Sequence, residues 1–227
     1  MPDNPGEQPR RRRSLAFLNQ VLIVDTALKV IDDDGADALT FRRLGAELGA
    51  DHTAVLRHFR SKDDLLLAIA DRLLAGAIDS IEVTDDWRAT LTSLAGAIRQ
   101  ACGAHPGMAT MVASRTMRRE AEFRGADIVI GALRDAGLDG REAASCYRAL
   151  VDVALAYASL EAAVGALPSG VAETDRQVWS RDYQSLPADS YPNVAAVAEH
   201  LPAVDAEDQF TVAMDLFFDG VEARVKR

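Results

Sequence analysis

Residues 39–66 constrain the fold of this chain more than any other stretch of its sequence. Three residues of types that cap helix N-termini, Thr40, Asp51 and Ser61, stand about ten positions apart in it. Gly49 precedes the second of these caps and tolerates the left-handed conformation in which many helices end. The stretch therefore predicts two short helices joined by a tight turn, with a further helix directly after them, which is the arrangement of a helix-turn-helix motif.

The rest of the sequence also predicts helices. Apolar residues recur at helical spacing, and no stretch of useful length alternates as a strand would. We expect an all-α protein in three parts: a flexible basic arm over residues 1–18, a three-helix helix-turn-helix domain over 19–68 and a larger C-terminal helical domain over 69–227. In the last part, the alanine-rich segment 142–167 has the composition of a helix buried on several sides, and residues 168–192 are expected to hold a short helix.

Charge is distributed unevenly along the 227 residues. The formal net charge is −10, but residues 1–62 carry ten Lys and Arg against nine Asp and Glu, so the acid is concentrated in the C-terminal part. This asymmetry favours a DNA-binding head on an acidic body, because affinity for duplex DNA depends on neutralising phosphates. No apolar run approaches the ~20 residues of a membrane span and no apolar signal segment is seen, so we expect a cytoplasmic protein.

Residue types with catalytic or metal-binding chemistry are few and scattered. The two cysteines, Cys102 and Cys146, fit a reducing compartment and match no metal-ligand spacing, so neither a metal site nor a cofactor is expected. The four histidines lie far apart, and the sequence has no phosphate loop or nucleophile motif. These observations argue against an enzyme.

Several polar side chains of the helix-turn-helix are placed to reach DNA, since such a motif lays its second helix in the major groove. Arg42 begins the supporting helix and would grip a guanine edge or a phosphate; the alternative is a solvated surface arginine. His52 and Thr53 open the second helix, and Lys62 follows it as a point charge for a phosphate. A basic run that would touch phosphates or a minor groove, or else form a solvated tail, comprises Arg10, Arg11, Arg12 and Arg13.

The same stretch carries a resemblance to a known family. LTFRRLGAELGADHTAVLRHF, followed by RSKDDLL, resembles the N-terminal domain of the TetR family of bacterial transcriptional regulators, without a gap from about Asn19 to Asp71. DQFTVAMDLFFDGVEARVK resembles the last helix of the family's tetracycline-binding branch. At Leu56 the family usually has a tyrosine that reaches a phosphate, and Arg57 or the arm would compensate for its loss. The resemblance implies DNA contacts at the positions of Arg42, His52, Thr53, Ala54, Leu56, His58 and Lys62. Thr40 and Arg57 are further candidates for DNA contact.

The resemblance also implies a two-fold dimer that reads palindromic DNA, with half-sites about one helical turn (~34 Å) apart. The long alanine-rich helix and the final helix of each chain would form a four-helix bundle. The final helix supports this independently, because it carries more apolar residues than a lone surface helix should; core packing within one chain is the alternative. The expected interface residues are Ala154, Ala158, Phe210, Met214, Phe217, Phe218 and Val221.

Family members bind ligands in a pocket among the middle helices. The asparagine and histidine with which tetracycline-binding members hold drug and metal correspond here to Leu94 and Val112, so the resemblance does not extend to a tetracycline–magnesium site. We expect an apolar cavity instead, with Arg115 as an anchor for an acidic or carbonyl group; plain core is the alternative for each residue. The expected lining is Leu94, Ile98, Met108, Met111, Val112, Arg115, Tyr147, Val151 and Trp179.

The combined expectation is a ligand-responsive regulator without enzymatic activity, most simply a repressor that binds a palindromic operator as a homodimer and is released by a largely apolar small molecule. Its partners would be double-stranded operator DNA, a small-molecule effector and a second copy of the chain, with no membrane. Two alternatives remain: a helical interaction protein that keeps the fold without specific DNA binding and, with least support, an enzyme.

Overall fold

The computed structural model describes residues 18–205 and 208–226, and it contains helices without strands over those residues. The all-α prediction is confirmed. The described chain divides into two compact units between Ile69 and Ala70. The helices are α1 (Gln20–Asp34), α2 (Phe41–Leu48), α3 (His52–Leu56), α4 (Lys62–Asp79), α5 (Trp87–Ala104), α6 (Pro106–Ser114), α7 (Glu120–Asp135), α8 (Gly140–Gly165), α9 (Val171–Gln184), α10 (Pro192–Ala195), α11 (Leu201–Asp205) and α12 (Gln209–Val225).

The predicted caps begin the helices of the N-terminal unit. The Asn19 side chain accepts a hydrogen bond from the Leu22 amide at 2.8 Å, and the Thr40 hydroxyl accepts one from the Arg43 amide at 3.1 Å. These oxygens satisfy N–H groups that a first helical turn leaves without partners. The helices then bury one face each; this small core comprises Ile23, Val24, Ala27, Val30, Ile31, Leu39, Leu44, Val55, Phe59 and Leu65.

The turn between α2 and α3 is tight and depends on two glycines. Gly49 ends α2 with φ 63° and ψ 29°, the left-handed conformation predicted for it. Gly45 lies inside α2 and faces the turn, and the Ala50 amide donates to the Gly45 carbonyl at 2.8 Å. A side chain at position 45 would collide with this backbone, so the glycine allows α2 and α3 to pack closely.

The C-terminal unit is built around α8. Helices α5, α6 and α7 pack against it, and α12 packs along it from another direction. Arg99 of α5 links α8 to α12. Its guanidinium donates to Glu161 of α8 at 2.7 and 2.6 Å and to Asp208, the N-cap of α12, at 2.8 Å. No helix in the described part of the chain is long and apolar enough to cross a bilayer.

Residues 168–205 form a group of short helices at the edge of this unit. The predicted helix in the segment is confirmed and is longer than expected, since α9 extends from Val171 to Gln184. Each described side chain of α9 is exposed or half-buried, and its helical neighbours are α10 and α11. Helix α8 ends at Gly165, before the predicted limit at Leu167.

Candidate nucleic-acid interface, ligand cavity and dimer surface

The residues of α3 differ in burial between its two sides. Val55 is fully buried, whereas His52, Thr53 and Leu56 are exposed, and Ala54 is half-buried. Positions three and four residues apart share a face of a helix. His52, Thr53 and Leu56 therefore form one outward face, opposite the side that packs on α2.

The start of this face is held by Asp51. Its carboxylate accepts from the Thr53 amide at 2.8 Å and lies 3.4 Å from Nδ1 of His52. The pKa of the Asp51 carboxyl is lowered, first by the side-chain hydrogen bond from Thr53 and then by the Thr53 amide. The cap thus fixes the first turn of α3.

Two neighbouring arginines at the start of α2 differ in their surroundings. Arg43 forms ion pairs with Asp34 at 2.9 Å and with Glu47 at 2.8 Å, and the Glu47 hydrogen bond raises its pKa. Arg42 is exposed and forms no ion pair or hydrogen bond with any residue of the described chain. Of the two, Arg42 has its guanidinium available for an external ligand.

The remaining predicted contacts lie around the ends of α3. Lys62 Nζ donates to the Ala36 carbonyl at 2.9 Å, so its ammonium is held beside the start of α4 and keeps two further protons for other acceptors. Helix α3 ends at Leu56, so Arg57 and His58 lie in the turn after it rather than on the helix. The predicted contacts of Arg10, Arg11, Arg12 and Arg13 lie outside the described residues.

A cavity of about 140 Å³ lies within the C-terminal unit, among α4, α5, α6, α7 and α8. The structure brings six of the predicted lining residues together there: Leu94, Ile98, Val112, Arg115, Tyr147 and Val151. Sequence periodicity did not single out the remaining walls, because small residues such as Gly125 and Ala126 carry no strong apolar signal. Further lining residues are Leu74, Ile78, Ala113, Ser114, Thr116, Met117, Ala121, Glu122, Gly125, Ala126, Val129, Arg148, Asp152, Ala154 and Leu155.

Three of the residues predicted to line a ligand pocket lie outside this cavity. Met108 and Met111 precede Val112 on α6, and Met108 is fully buried in the core one turn before the cavity begins. Trp179 lies on α9, where its ring packs against Tyr183 with the centroids 4.8 Å apart. Spacing along one helix could not reveal where the neighbouring helices separate to leave space.

The polar edge of the cavity is formed by Glu122. Its carboxylate accepts from the backbone amides of Met117 and Arg118, at 2.6 and 3.0 Å. Arg118 is the one non-glycine residue of the described chain with a positive φ, at 52°. Burial raises the pKa of the Tyr147 phenol, and the charge of Glu122 raises it further. The cavity therefore offers a largely apolar wall with hydrogen-bonding groups at one side.

The seven residues predicted for the dimer interface differ in their exposure within a single chain. Ala154, Ala158, Phe210 and the others are already buried within a single chain, where they pack α8 and α12 on each other and on α5. A side chain that its own chain covers offers no surface to a second copy. The six buried residues are Ala154, Ala158, Phe210, Met214, Phe218 and Val221.

The opposite side of the same two helices remains uncovered. Leu216 is 68% exposed and Leu160 is 59% exposed, and apolar side chains that share an exposed face can mark an interaction surface. The seventh predicted residue, Phe217, is half-buried and faces a groove between the helices. We define the outer α8/α12 face as Ser145, Ala149, Ala156, Leu160, Val164, Leu216, Phe217, Gly220 and Ala223.

The described residues contain no group of histidines, cysteines and carboxylates that could hold a metal ion. Comparison with known proteins decides the family. The model of bacterial regulatory proteins of the tetR family matches residues 23–69, and the model of the tetracyclin repressor-like C-terminal domain matches residues 82–225. The chain belongs to the TetR family. This is a family of transcriptional regulators and not of enzymes.

Individual TetR-family proteins are similar over different lengths. Identity is 26% to the HTH-type transcriptional repressor DrrR1 of Streptomyces coeruleorubidus, over 89% of this chain and 77% of that protein. Identity is 31% to the HTH-type transcriptional repressor Rv1353c of Mycobacterium tuberculosis. That match covers 51% of this chain and 44% of the length of the relative. Streptomyces coelicolor ActR in complex with actinorhodin matches with a TM-score of 0.77 and 26% identity, over 92% of this chain and 99% of ActR.

Proposed function

We propose that this TetR-family protein is a repressor that binds a palindromic operator as a homodimer and is released by a largely apolar small molecule. The main support for the proposal is the exposed face of α3 together with the exposed Arg42, which forms no ion pair within the described chain. A helix-turn-helix reads DNA with the N-terminal side chains of its second helix, while the first helix lies across the backbone. His52 and Thr53 occupy the reading positions, and Arg42 and Lys62 flank them with positive charge.

Arginine and lysine would contribute differently to this complex. Arg42 carries a planar fork of donors that can hold a guanine edge or a phosphate through two hydrogen bonds. Lys62 is a point charge, so its phosphate contact would add affinity without reading sequence. The acidic remainder of the chain would stay away from the duplex, because it is repelled by the phosphates.

Gel-shift titration of DNA upstream of the chain's own gene tests this proposal. Arg42→Ala should weaken the specific complex by about 5- to 150-fold, the effect of losing ~1 to 3 kcal/mol. Arg43→Ala is the matched control, because Arg43 is engaged by Asp34 and Glu47; it should change affinity by less than about threefold. Absence of any specific complex at low salt would contradict the proposal.

The homodimer is supported by the outer α8/α12 face. Small residues such as Ala149 and Gly220 would let two copies approach closely, and Leu160 and Leu216 would bury their exposed side chains between them. A two-fold axis makes one such face self-complementary, since each copy presents the same patch to the other. The same axis would present two reading helices to the two halves of a palindrome.

The effector is supported by the cavity. Its walls are chiefly aliphatic, and its volume of about 140 Å³ is below the ~300 to 1,000 Å³ of most ligand pockets. An effector of ordinary size would therefore have to widen the space between α5, α7 and α8. The complex of ActR with actinorhodin supports a small-molecule role for the corresponding unit of this chain.

The repressor would release the operator if the effector binds more tightly to a widened C-terminal unit. In that state, the two helix-turn-helix domains of the dimer would no longer match the spacing of the half-sites. Coupling of ~1 to 3 kcal/mol would change operator affinity by about 5- to 150-fold. Coupling is reciprocal, so an inducer must bind operator-bound protein more weakly than free protein by the same factor. A compound that binds both forms equally is not the inducer.

A further inference from the structure

The face that α3 turns outward is unusually apolar. Leu56 is 41% exposed, although it is one of five residues in a helix whose inner side is occupied by Val55. It follows His52 by four positions and Thr53 by three, so it lies on the same face, about 6 Å farther along the helix axis. Two-fifths of its surface is therefore open to an external partner.

The neighbours of Leu56 add little hydrogen-bonding capacity. Thr53 is exposed and carries a methyl group beside its hydroxyl, and its amide donates to the Asp51 carboxylate at 2.8 Å. Ala54 has only a methyl group. On α3 itself, the exposed polar side chains are therefore those of its first two residues, His52 and Thr53, and the face beyond them is the hydrocarbon side chain of Leu56.

The major groove offers one apolar group on its base edges, the C5 methyl of thymine; its other groups accept or donate hydrogen bonds. A leucine can neither accept nor donate, so a phosphate or a guanine edge would lose water at Leu56 without gaining a partner. The exposed Arg42 and Lys62 would supply the phosphate contacts, which leaves Leu56 to meet the base edges.

We propose that Leu56 is a specificity-determining residue that contacts the C5 methyl of a thymine in each operator half-site. The inference rests on the proposed operator binding and goes beyond it by assigning the base and the atom. Burying one methyl group against leucine corresponds to about a 4-fold gain in affinity per half-site, from the ~0.8 kcal/mol of a buried methylene. The side chain is exposed, so its replacement should not disturb folding.

The experiment uses the full chain and duplexes selected for binding from a random pool. Each thymine of the selected half-site is then replaced in turn by dU, which lacks the C5 methyl and keeps every hydrogen-bonding group. Binding is measured for the natural sequence, for Leu56→Ala and for Thr53→Ser, which removes the methyl group of Thr53 while keeping its hydroxyl. Circular dichroism confirms that each variant is folded.

The expected result is one thymine per half-site at which dU weakens the natural protein and Thr53→Ser by about 4-fold but leaves Leu56→Ala unchanged. The inference would be overturned if dU lowered the affinity of the natural protein and of Leu56→Ala equally at every thymine. It would also be overturned if dU lowered the affinity at no thymine. Both outcomes would leave operator binding intact. A loss abolished only by Thr53→Ser would assign the contact to Thr53 instead and also overturn it. Failure to select any sequence would contradict operator binding itself.

Discussion

Gly45 approaches Ala50 so closely that a Cβ atom at position 45 would lie 2.8 Å from the Ala50 carbonyl oxygen. The same Cβ would lie 3.1 Å from the amide nitrogen of His52, at the start of the reading helix. Backbone atoms cannot rotate away as a side chain would, so Gly45→Ala must push α3 off α2. We expect destabilisation of the N-terminal unit by about 1 to 3 kcal/mol, despite the better helix propensity of alanine. Faster amide hydrogen exchange in α2 and α3 would report it.

Gly76→Ala is the matched control for this prediction. Gly76 also lies inside a helix, but a Cβ there meets nothing within 4 Å. This change should stabilise the protein by about 0.4 to 1 kcal/mol, because alanine restricts the unfolded chain. Similar effects of the two substitutions would show that the close approach of α2 and α3 is not important.

The Arg99–Asp208 ion pair should be visible in the acid stability of the protein. The hydrogen bond from Arg99 lowers the pKa of the Asp208 carboxyl to about 2, below the ~3.9 of an unfolded chain. A lowered folded-state pKa contributes stability above the unfolded value, and that contribution is lost as the pH falls from about 4 through about 2. Asp208→Asn keeps a good helix cap but cannot ionise, so its unfolding free energy should fall less steeply with acid over this window.

Asp86→Asn is the matched control for the loss of a charged helix cap. Asp86 caps α5 through the Ala89 amide, as Asp208 caps α12, but it forms no ion pair within the described chain. Urea unfolding at a series of pH values gives the comparison. If Asp208→Asn followed the same acid limb as the natural sequence, the ion pair with Arg99 would not contribute to stability.

A charge on the outer α8/α12 face should separate the two subunits. Leu216→Glu and Leu160→Glu would each place a carboxylate where the proposed dimer excludes water, and we expect the dimer dissociation constant to rise by at least about tenfold. Phe123→Glu on α7 is the control, because Phe123 is 58% exposed but lies outside this face. Sedimentation equilibrium measures all three. Dimers of unchanged affinity in both leucine variants would rule out this face.

Filling the cavity should prevent effector binding. Val151→Trp would place an indole into a space of about 140 Å³, whereas Val83→Trp puts the same group on the surface. Compounds that raise the unfolding temperature of the natural protein should also raise that of Val83→Trp and leave Val151→Trp unchanged, since only binding to the folded state stabilises it. A compound that stabilises both variants equally binds elsewhere.

The N-terminal unit was predictable because its signals are local. Thr40, Gly49 and Asp51 act within a few residues of their own position, through a cap, a left-handed turn and a second cap. The end of α3 at Leu56 was not predictable, because Phe59 continues the apolar spacing while the backbone has already left the helix. Core packing and helical conformation are separate properties, and periodicity reports only the first.

For the cavity and for the exposure of α12, the sequence pattern is less informative, for a different reason. Periodicity identifies the apolar face of α12 but not what covers it, so Phe218 within the core and Leu216 in solvent give the same signal. The cavity depends on gaps between helices, which arise from contacts distant in sequence. Glu122 had no signal at all, because its role at the cavity edge follows from the conformation of Arg118.

Half-site spacing tests the central claim most directly. A selected palindromic operator is compared by equilibrium titration with the same operator carrying about 5 extra base pairs at its centre, which rotates one half-site to the opposite side of the duplex. A symmetric dimer reading both halves should lose at least about 100-fold in affinity, and Leu216→Glu should lose most of its preference for the natural spacing. Equal affinity of the natural protein for both duplexes would contradict the account.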